Sequence, residues 1–239
     1  MDSKLKLNSL QYLRGLSAIA VLLFHIEGGI EDYWQAKNYI SLFSWGHFGV
    51  EMFFCLSGFV IAYSGYLRKK KLLDFMFTRL ARIYPVYIFS TALFILIIII
   101  VPQDAFNSSP NLSIEKLINS FFFGFGHSSL LYIYVGWTLY YEMVFYILFS
   151  PISYRFKEVV KNKLFCYAIS IGIVICSIIN LNIISCFLIG ISIFMIITKS
   201  INNTNFSMPY CFLFIALAIE LFIFPVGVLC GALLFCLIN

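Results

Sequence analysis

IYPVYIFSTALFILIIIIV, residues 83–101, runs from Ile83 to Val101 without one charged side chain. A bilayer-spanning helix needs about 20 mostly apolar residues, so this stretch is long enough to cross. Comparable runs lie near Ser9–Ile26, His47–Tyr66, Val135–Ser150, Lys163–Asn180, Ile183–Thr198 and Tyr210–Phe224, and a last one covers Pro225–Asn239. Asn180 to Asn182 read as a tight polar turn, and Pro225 either breaks one long helix or separates two short spans. The predicted fold class is all-α, a polytopic transmembrane helix bundle of about seven to nine spans. One membrane-embedded domain over residues 1–239 is expected.

Composition agrees. Hydrophobic residues make up 62% of the chain and charged residues 11%, against roughly 45–50% and about 25% in soluble domains. No soluble fold could bury that much. The net charge of +5 does not point to nucleic acid, because the basic residues fall in short clusters between apolar runs, where topology control accounts for them. Cys55, Cys166, Cys176, Cys186 and Cys211 lie mostly inside apolar segments without paired metal-ligand spacing, so no metal site is expected. Lys4 and Lys6 followed by Leu16–Phe24 resemble a secretory signal peptide. No small-residue cleavage site follows, however, and Arg14 sits at the edge of the apolar run, so an uncleaved first helix is the expectation.

An amino terminus inside puts Arg68, Lys69, Lys70, Lys71, Arg79 and Arg82 in one cytoplasmic segment and Arg155, Lys157, Lys161 and Lys163 in the next, with Lys199 also inside. Glu27, Glu31, Asp32 and the Asn- and Ser-containing stretch 103–111 then fall outside, which is the asymmetry of the positive-inside rule. Residues 113–129 mix Phe121, Phe122, Phe123 and Phe125 with Gly124, Gly126 and His127. An interfacial or re-entrant segment fits, and any non-helical backbone there should be shielded by protein or line a wet cavity.

Ionisable groups inside spans carry the chemical information, since each costs about 2.5–3.5 kcal/mol on insertion scales unless paired or wetted. His25, Glu51 and Glu142 are such groups, with Arg14 at the inner end of the first span. Arg14 and His25 are eleven positions apart, close to three helical turns, so they share a helix face about 16 Å apart along the axis. Either they form a site reached from both sides of the membrane, or Arg14 is a topological anchor and His25 a structural histidine. His47 and His127 read as interfacial, which leaves His25 as the natural general base for deprotonating a hydroxyl.

Four stretches resemble acyltransferase family 3, the integral-membrane acyltransferases that modify surface polysaccharides and other acceptors. They are Leu13-Arg14-Gly15-Leu16-Ser17-Ala18 ending in Phe24-His25, Gly49-Val50-Glu51-Met52-Phe53-Phe54 running into Leu56-Ser57-Gly58-Phe59, Arg79-Leu80-Ala81-Arg82-Ile83-Tyr84-Pro85, and Trp137-Thr138-Leu139-Tyr140-Tyr141-Glu142 with Phe145-Tyr146. Their order and spacing across residues 13–146 are hard to obtain by chance. The resemblance implies an acyl-CoA donor, with acetyl-CoA favoured, a hydroxyl acceptor on a saccharide or lipid-linked saccharide, and functional roles for Arg14 and His25.

The other motif residues each admit two readings. Ser57 and Gly58 suit close helix packing as well as substrate contact. Glu51 is a neutral buried acid, a partner for Arg14, or a substrate ligand. Glu142, near Trp137, Tyr141 and Tyr146 in sequence, suits acceptor binding, orientation of the histidine, or pairing with an arginine. Arg79 and Arg82, three apart, are neighbours on one helix face, either binding the phosphates of coenzyme A or anchoring the cytoplasmic end among anionic lipids. Pro85 suits the start of the following span.

The expected location is a bacterial cytoplasmic membrane. Members of the resembled family are longer, so a shortened chain lacking about two helices of roughly 20 residues each is expected, its cavity left open or filled by a second copy. A truncated, inactive acyltransferase and a transporter or flippase for a lipid-linked sugar are the alternatives.

Overall fold

A computed structural model describes residues 3–34, 42–67, 72–101, 112–153, 155–160, 162–179, 181–201 and 215–216. Every regular element among them is helical: α1 (Ser3–Trp34), α2 (Phe48–Leu67), α3 (Leu72–Ile100), α4 (Ile114–Phe121), α5 (Trp137–Ser153), α6 (Phe156–Val159), α7 (Lys163–Ile178) and α8 (Asn182–Ile201), with short 3₁₀ turns between. The expected spans Tyr210–Phe224 and Pro225–Asn239 lie outside the described residues except for Ile215 and Ala216. The chain forms two compact units, one of Met1–Lys69 with Arg155–Asn239 and one of Lys70–Tyr154.

In the first unit α1 has 32 residues, about 48 Å at 1.5 Å per residue, longer than the roughly 30 Å of a hydrocarbon core. Its buried positions Leu10, Leu13, Ser17 and Glu27 follow helical spacing, while Leu16, Ile19, Leu22, Ile26 and Ile30 project outward. That outward apolar face suits lipid. The packed face meets two glycines: a Cβ on Gly49 would lie 2.6 Å from the Ser17 carbonyl oxygen and 2.8 Å from Val21 Cγ2, and one on Gly46 would lie 2.9 Å from Phe24 Cβ. Small residues let the backbones approach, as membrane helix contacts require when water supplies no hydrophobic drive.

Helix α2 is the centre of this unit. Six successive residues, Phe54 to Phe59, are buried, so the helix has neighbours on every side. It packs on α1 and α6 and most extensively on α8. At that last contact Gly58 abuts the Phe187 backbone, and a Cβ on Gly190 would lie 2.8 Å from Phe59 N and 3.0 Å from the Cys55 carbonyl carbon. Phe54 and Phe187 fill the space beside the crossing, with ring centroids 4.9 Å apart. Ser57 is buried in the middle of α2.

Helices α7 and α8 form a hairpin, closed where Leu181 N donates to the Cys176 carbonyl at 2.8 Å. Their buried hydroxyls bond back to their own helices, Ser170 to the Cys166 carbonyl and Ser177 to the Ile173 carbonyl, both at 2.8 Å. Such bonds help to satisfy a hydroxyl in apolar surroundings. Cys55, Cys166, Cys176 and Cys186 are all buried.

In the second unit α3 corrects one expectation. Pro85 does not start a helix; it lies inside α3, which begins at Leu72 and carries Arg79 and Arg82 on regular helix. The proline ring removes one N–H and crowds the carbonyl four residues back, a cost that helices in apolar surroundings tolerate when local adjustment re-satisfies the backbone. Segment 113–129 is neither one helix nor an open loop. After α4, Phe123, Gly124, Phe125 and Gly126 have φ of 55°, 61°, 49° and 84°, one left-handed turn in which each non-glycine residue costs roughly 1–2 kcal/mol. Protein shields part of it: Phe123 and Gly124 are buried, and Phe123 packs against Tyr87 and Tyr84 with ring centroids 4.9 and 5.6 Å away.

Three helical stretches among the described residues are long and apolar enough to cross a membrane: Leu10–Ile30, Ser44–Leu67 and Met76–Ile100. Lys163–Ile178 and Asn182–Thr198 are shorter apolar helices. The expected span Val135–Ser150 appears as the 17-residue α5, about 26 Å long.

Candidate functional site

The sequence-predicted residues divide between the units. Arg14, His25, Glu51 and Ser57 belong to the first; Arg79, Arg82, Trp137 and Glu142 belong to the second.

Because α1 is helical throughout, Arg14 and His25 stand on one face at the predicted three-turn spacing. Arg14 is half-buried and His25 exposed. Ser17, on the adjoining packed face, is buried with its hydroxyl on the Leu13 carbonyl at 2.8 Å. His25 touches the Phe24 ring edge-on, centroids 5.4 Å apart, and Phe24 in turn lies 5.8 Å from the ring of His47. His47 Nδ1 is 2.5 Å from the Ser44 carbonyl oxygen. A carbonyl only accepts, so Nδ1 is the donor in this contact. The two histidines therefore share one aromatic neighbour at the α1–α2 junction.

Glu27 holds that junction in place. Only 7% exposed, its carboxylate accepts from Leu42 N at 2.6 Å and from Phe43 N at 2.9 Å. It thereby ties to α1 the backbone that enters the Ser44–His47 turn. Sequence reading placed Glu27 on the outer side as a topology marker and missed this role. The one available signal was an acid directly before Gly28-Gly29, which does not say what it will bind. Glu51, half-buried, stands in the first turn of α2, close after the Gly49 contact with α1.

In the second unit Trp137 opens α5, with its ring edge-on to Tyr141 at 5.9 Å. Gly126 of the left-handed turn faces this helix: a Cβ there would lie 3.0 Å from Tyr140 Cδ1 and 3.3 Å from Tyr141 Cε2. Glu142, half-buried, accepts a hydrogen bond at Oε1 from the hydroxyl of Tyr146 one turn later. Arg79 of α3 sits with its Cζ 5.4 Å from the centroid of the Tyr146 ring, inside the roughly 6 Å range of cation–π attraction. Structure thus joins Glu142 to an arginine through a tyrosine. Arg82 is exposed. The i, i+4 spacing of Glu142 and Tyr146 is visible in sequence, whereas the Arg79 contact depends on α3 packing against α5.

Among the described residues no group of three or more His, Cys, Asp or Glu could hold a metal ion.

Apolar helices of spanning length, with a histidine, arginines and carboxylates set on them, mark a helical membrane protein. The family model of acyltransferase family 3, described as an acyltransferase domain, matches residues 7–238, and the chain belongs to that family. Neither a curated protein nor a solved structure gives a match.

Proposed function

We propose that the protein is a membrane-bound O-acyltransferase that moves an acetyl group from acetyl-CoA to a hydroxyl of a cell-surface saccharide. The observation that carries this reading is the pairing of family membership with Arg14 and His25 on one face of α1.

Guanidinium forks are suited to the donor's phosphates, and in the second unit the basic pair of α3 supplies them. A neutral His25 removes the acceptor hydroxyl proton as that oxygen attacks the thioester carbonyl. The C–S bond breaks, and the departing thiolate takes the proton from His25. In the second unit Glu142 offers a saccharide a carboxylate for its hydroxyls and Trp137 an aromatic face for its ring. Glu51 and Ser57, in the same unit as His25, contact the substrate beside it.

In this reading the amino terminus is cytoplasmic, the full bundle has about seven to nine spans, and the protein resides in a bacterial cytoplasmic membrane. The test is transfer of labelled acetyl from acetyl-CoA to envelope glycans in membranes carrying wild type or His25→Ala at matched expression. Loss of general-base chemistry predicts a fall of about 10²- to 10⁴-fold. A normally folded His25→Ala protein with full transfer would overturn the mechanism.

A further inference from the structure

We propose that Arg79 is a positioning residue for Glu142, acting through the ring of Tyr146, and that phosphate contact by the basic pair of α3 falls to Arg82 alone. The second half rests on the acyl-CoA reading above; the first does not.

Tyr146 is 2% exposed, so neither its ring nor its hydroxyl is open to a ligand. Its O–H is spent on Glu142 Oε1, and its ring face is covered by the Arg79 guanidinium. These contacts act in series. A cation over the ring draws electron density from the phenol, which makes the O–H a better donor to the carboxylate. A carboxylate on an apolar helix needs such support, because an unpaired ionised group there is costly. Swinging Arg79 outward to a phosphate would uncover the ring and weaken the hold on Glu142.

Arg82 has no such engagement with Tyr146. It lies three residues on, about 60° around the helix from Arg79, and is exposed where Arg79 is half-buried. Guanidinium forks bind phosphate oxygens by paired hydrogen bonds only where they can reach them. Exposure therefore separates two arginines that sequence spacing makes equivalent.

The experiment uses the full chain in detergent, as wild type, Arg79→Gln, Arg79→Lys, Tyr146→Phe, Arg82→Gln and the Arg79→Gln/Tyr146→Phe double variant. Coenzyme A binding should weaken about 10-fold or more in Arg82→Gln and stay within about 2-fold of wild type in Arg79→Gln and Tyr146→Phe. For acetyl transfer, Arg82→Gln should raise the KM for acetyl-CoA. Arg79→Gln and Tyr146→Phe should each lower kcat about 10-fold, and the double variant should lower it no further than the worse single change. Arg79→Lys, which keeps a cation over the ring, should recover part of the loss. A double-mutant cycle on thermal unfolding should show the same coupling without any assay of activity.

Coenzyme A binding lost in Arg79→Gln as in Arg82→Gln would overturn the division of labour. Independent effects of the Arg79 and Tyr146 changes in the thermal cycle would overturn the positioning role. A wild type that binds no coenzyme A would remove the donor reading, and with it the role of Arg82, while the thermal cycle would still decide the role of Arg79.

Discussion

The contact between α2 and α8 gives a sharp test of the packing. Gly58→Ala places a methyl against the Phe187 backbone, where the nearest carbon atoms, C and Cα, would be 3.0 and 3.1 Å away and the carbonyl oxygen nearer still. Gly190→Ala does the same from the other side, 2.8 Å from Phe59 N and 3.0 Å from the Cys55 carbonyl carbon. Both obstacles are backbone, so no side chain can swing away. The helices must separate by roughly 1 Å, a gap at which contacts between facing atoms forfeit about a quarter to a half of their attraction. Overpacking of this kind costs about 1–3 kcal/mol, and these sites belong at the upper end. Thermal unfolding in detergent, followed by tryptophan fluorescence, should show each variant destabilised by about 2–3 kcal/mol. The double variant should fall short of the sum, because the first alanine already makes room for the second. A correctly inserted Gly58→Ala protein within about 0.5 kcal/mol of wild type would refute the packing reasoning.

Glu27→Ala should destabilise the junction between α1 and the Ser44–His47 turn by about 2–4 kcal/mol, since it strips a charged acceptor from two backbone donors. Glu27→Gln, which keeps one carbonyl oxygen, should recover part of that loss in the same melting assay. Gly126→Ala meets both a φ of 84° and the Tyr140 ring, so it should cost about 1–3 kcal/mol and lower acyl transfer by disturbing α5. After Cys211, Cys230 and Cys236 are replaced by serine, a maleimide should leave the native protein unlabelled at Cys55, Cys166, Cys176 and Cys186 and label it after denaturation. Rapid native labelling would contradict their burial.

What the sequence revealed follows from what patterning encodes. Apolar runs marked α2, α7 and α8 to within about three residues at each end, and the run Ser9–Ile26 fell inside the longer α1, because hydrophobic length is local information. Pro85 misled the reading of α3, since local propensity treats proline as a boundary while the helix runs through it. Residues 113–129 looked ambiguous because a short helix passes into a left-handed turn that Gly124 and Gly126 permit and that packing of Phe123 against Tyr84 and Tyr87 supports. At the site, the Arg14–His25 face was legible from helical periodicity alone. The Glu27 clamp and the Arg79–Tyr146 stack were not, because each joins segments brought together only by packing.

The position of α2 also bears on how the protein is made. Helix α2 ends at Leu67 and α8 starts at Asn182, so at about 5–20 residues per second a ribosome needs roughly 6 to 23 s to supply the second helix after the first. For that interval the Gly58 surface lacks its native cover. Lipid or an insertion factor must cover that surface and then yield it to α8, so a helix with neighbours on every side among the described residues is one of the first to be synthesised.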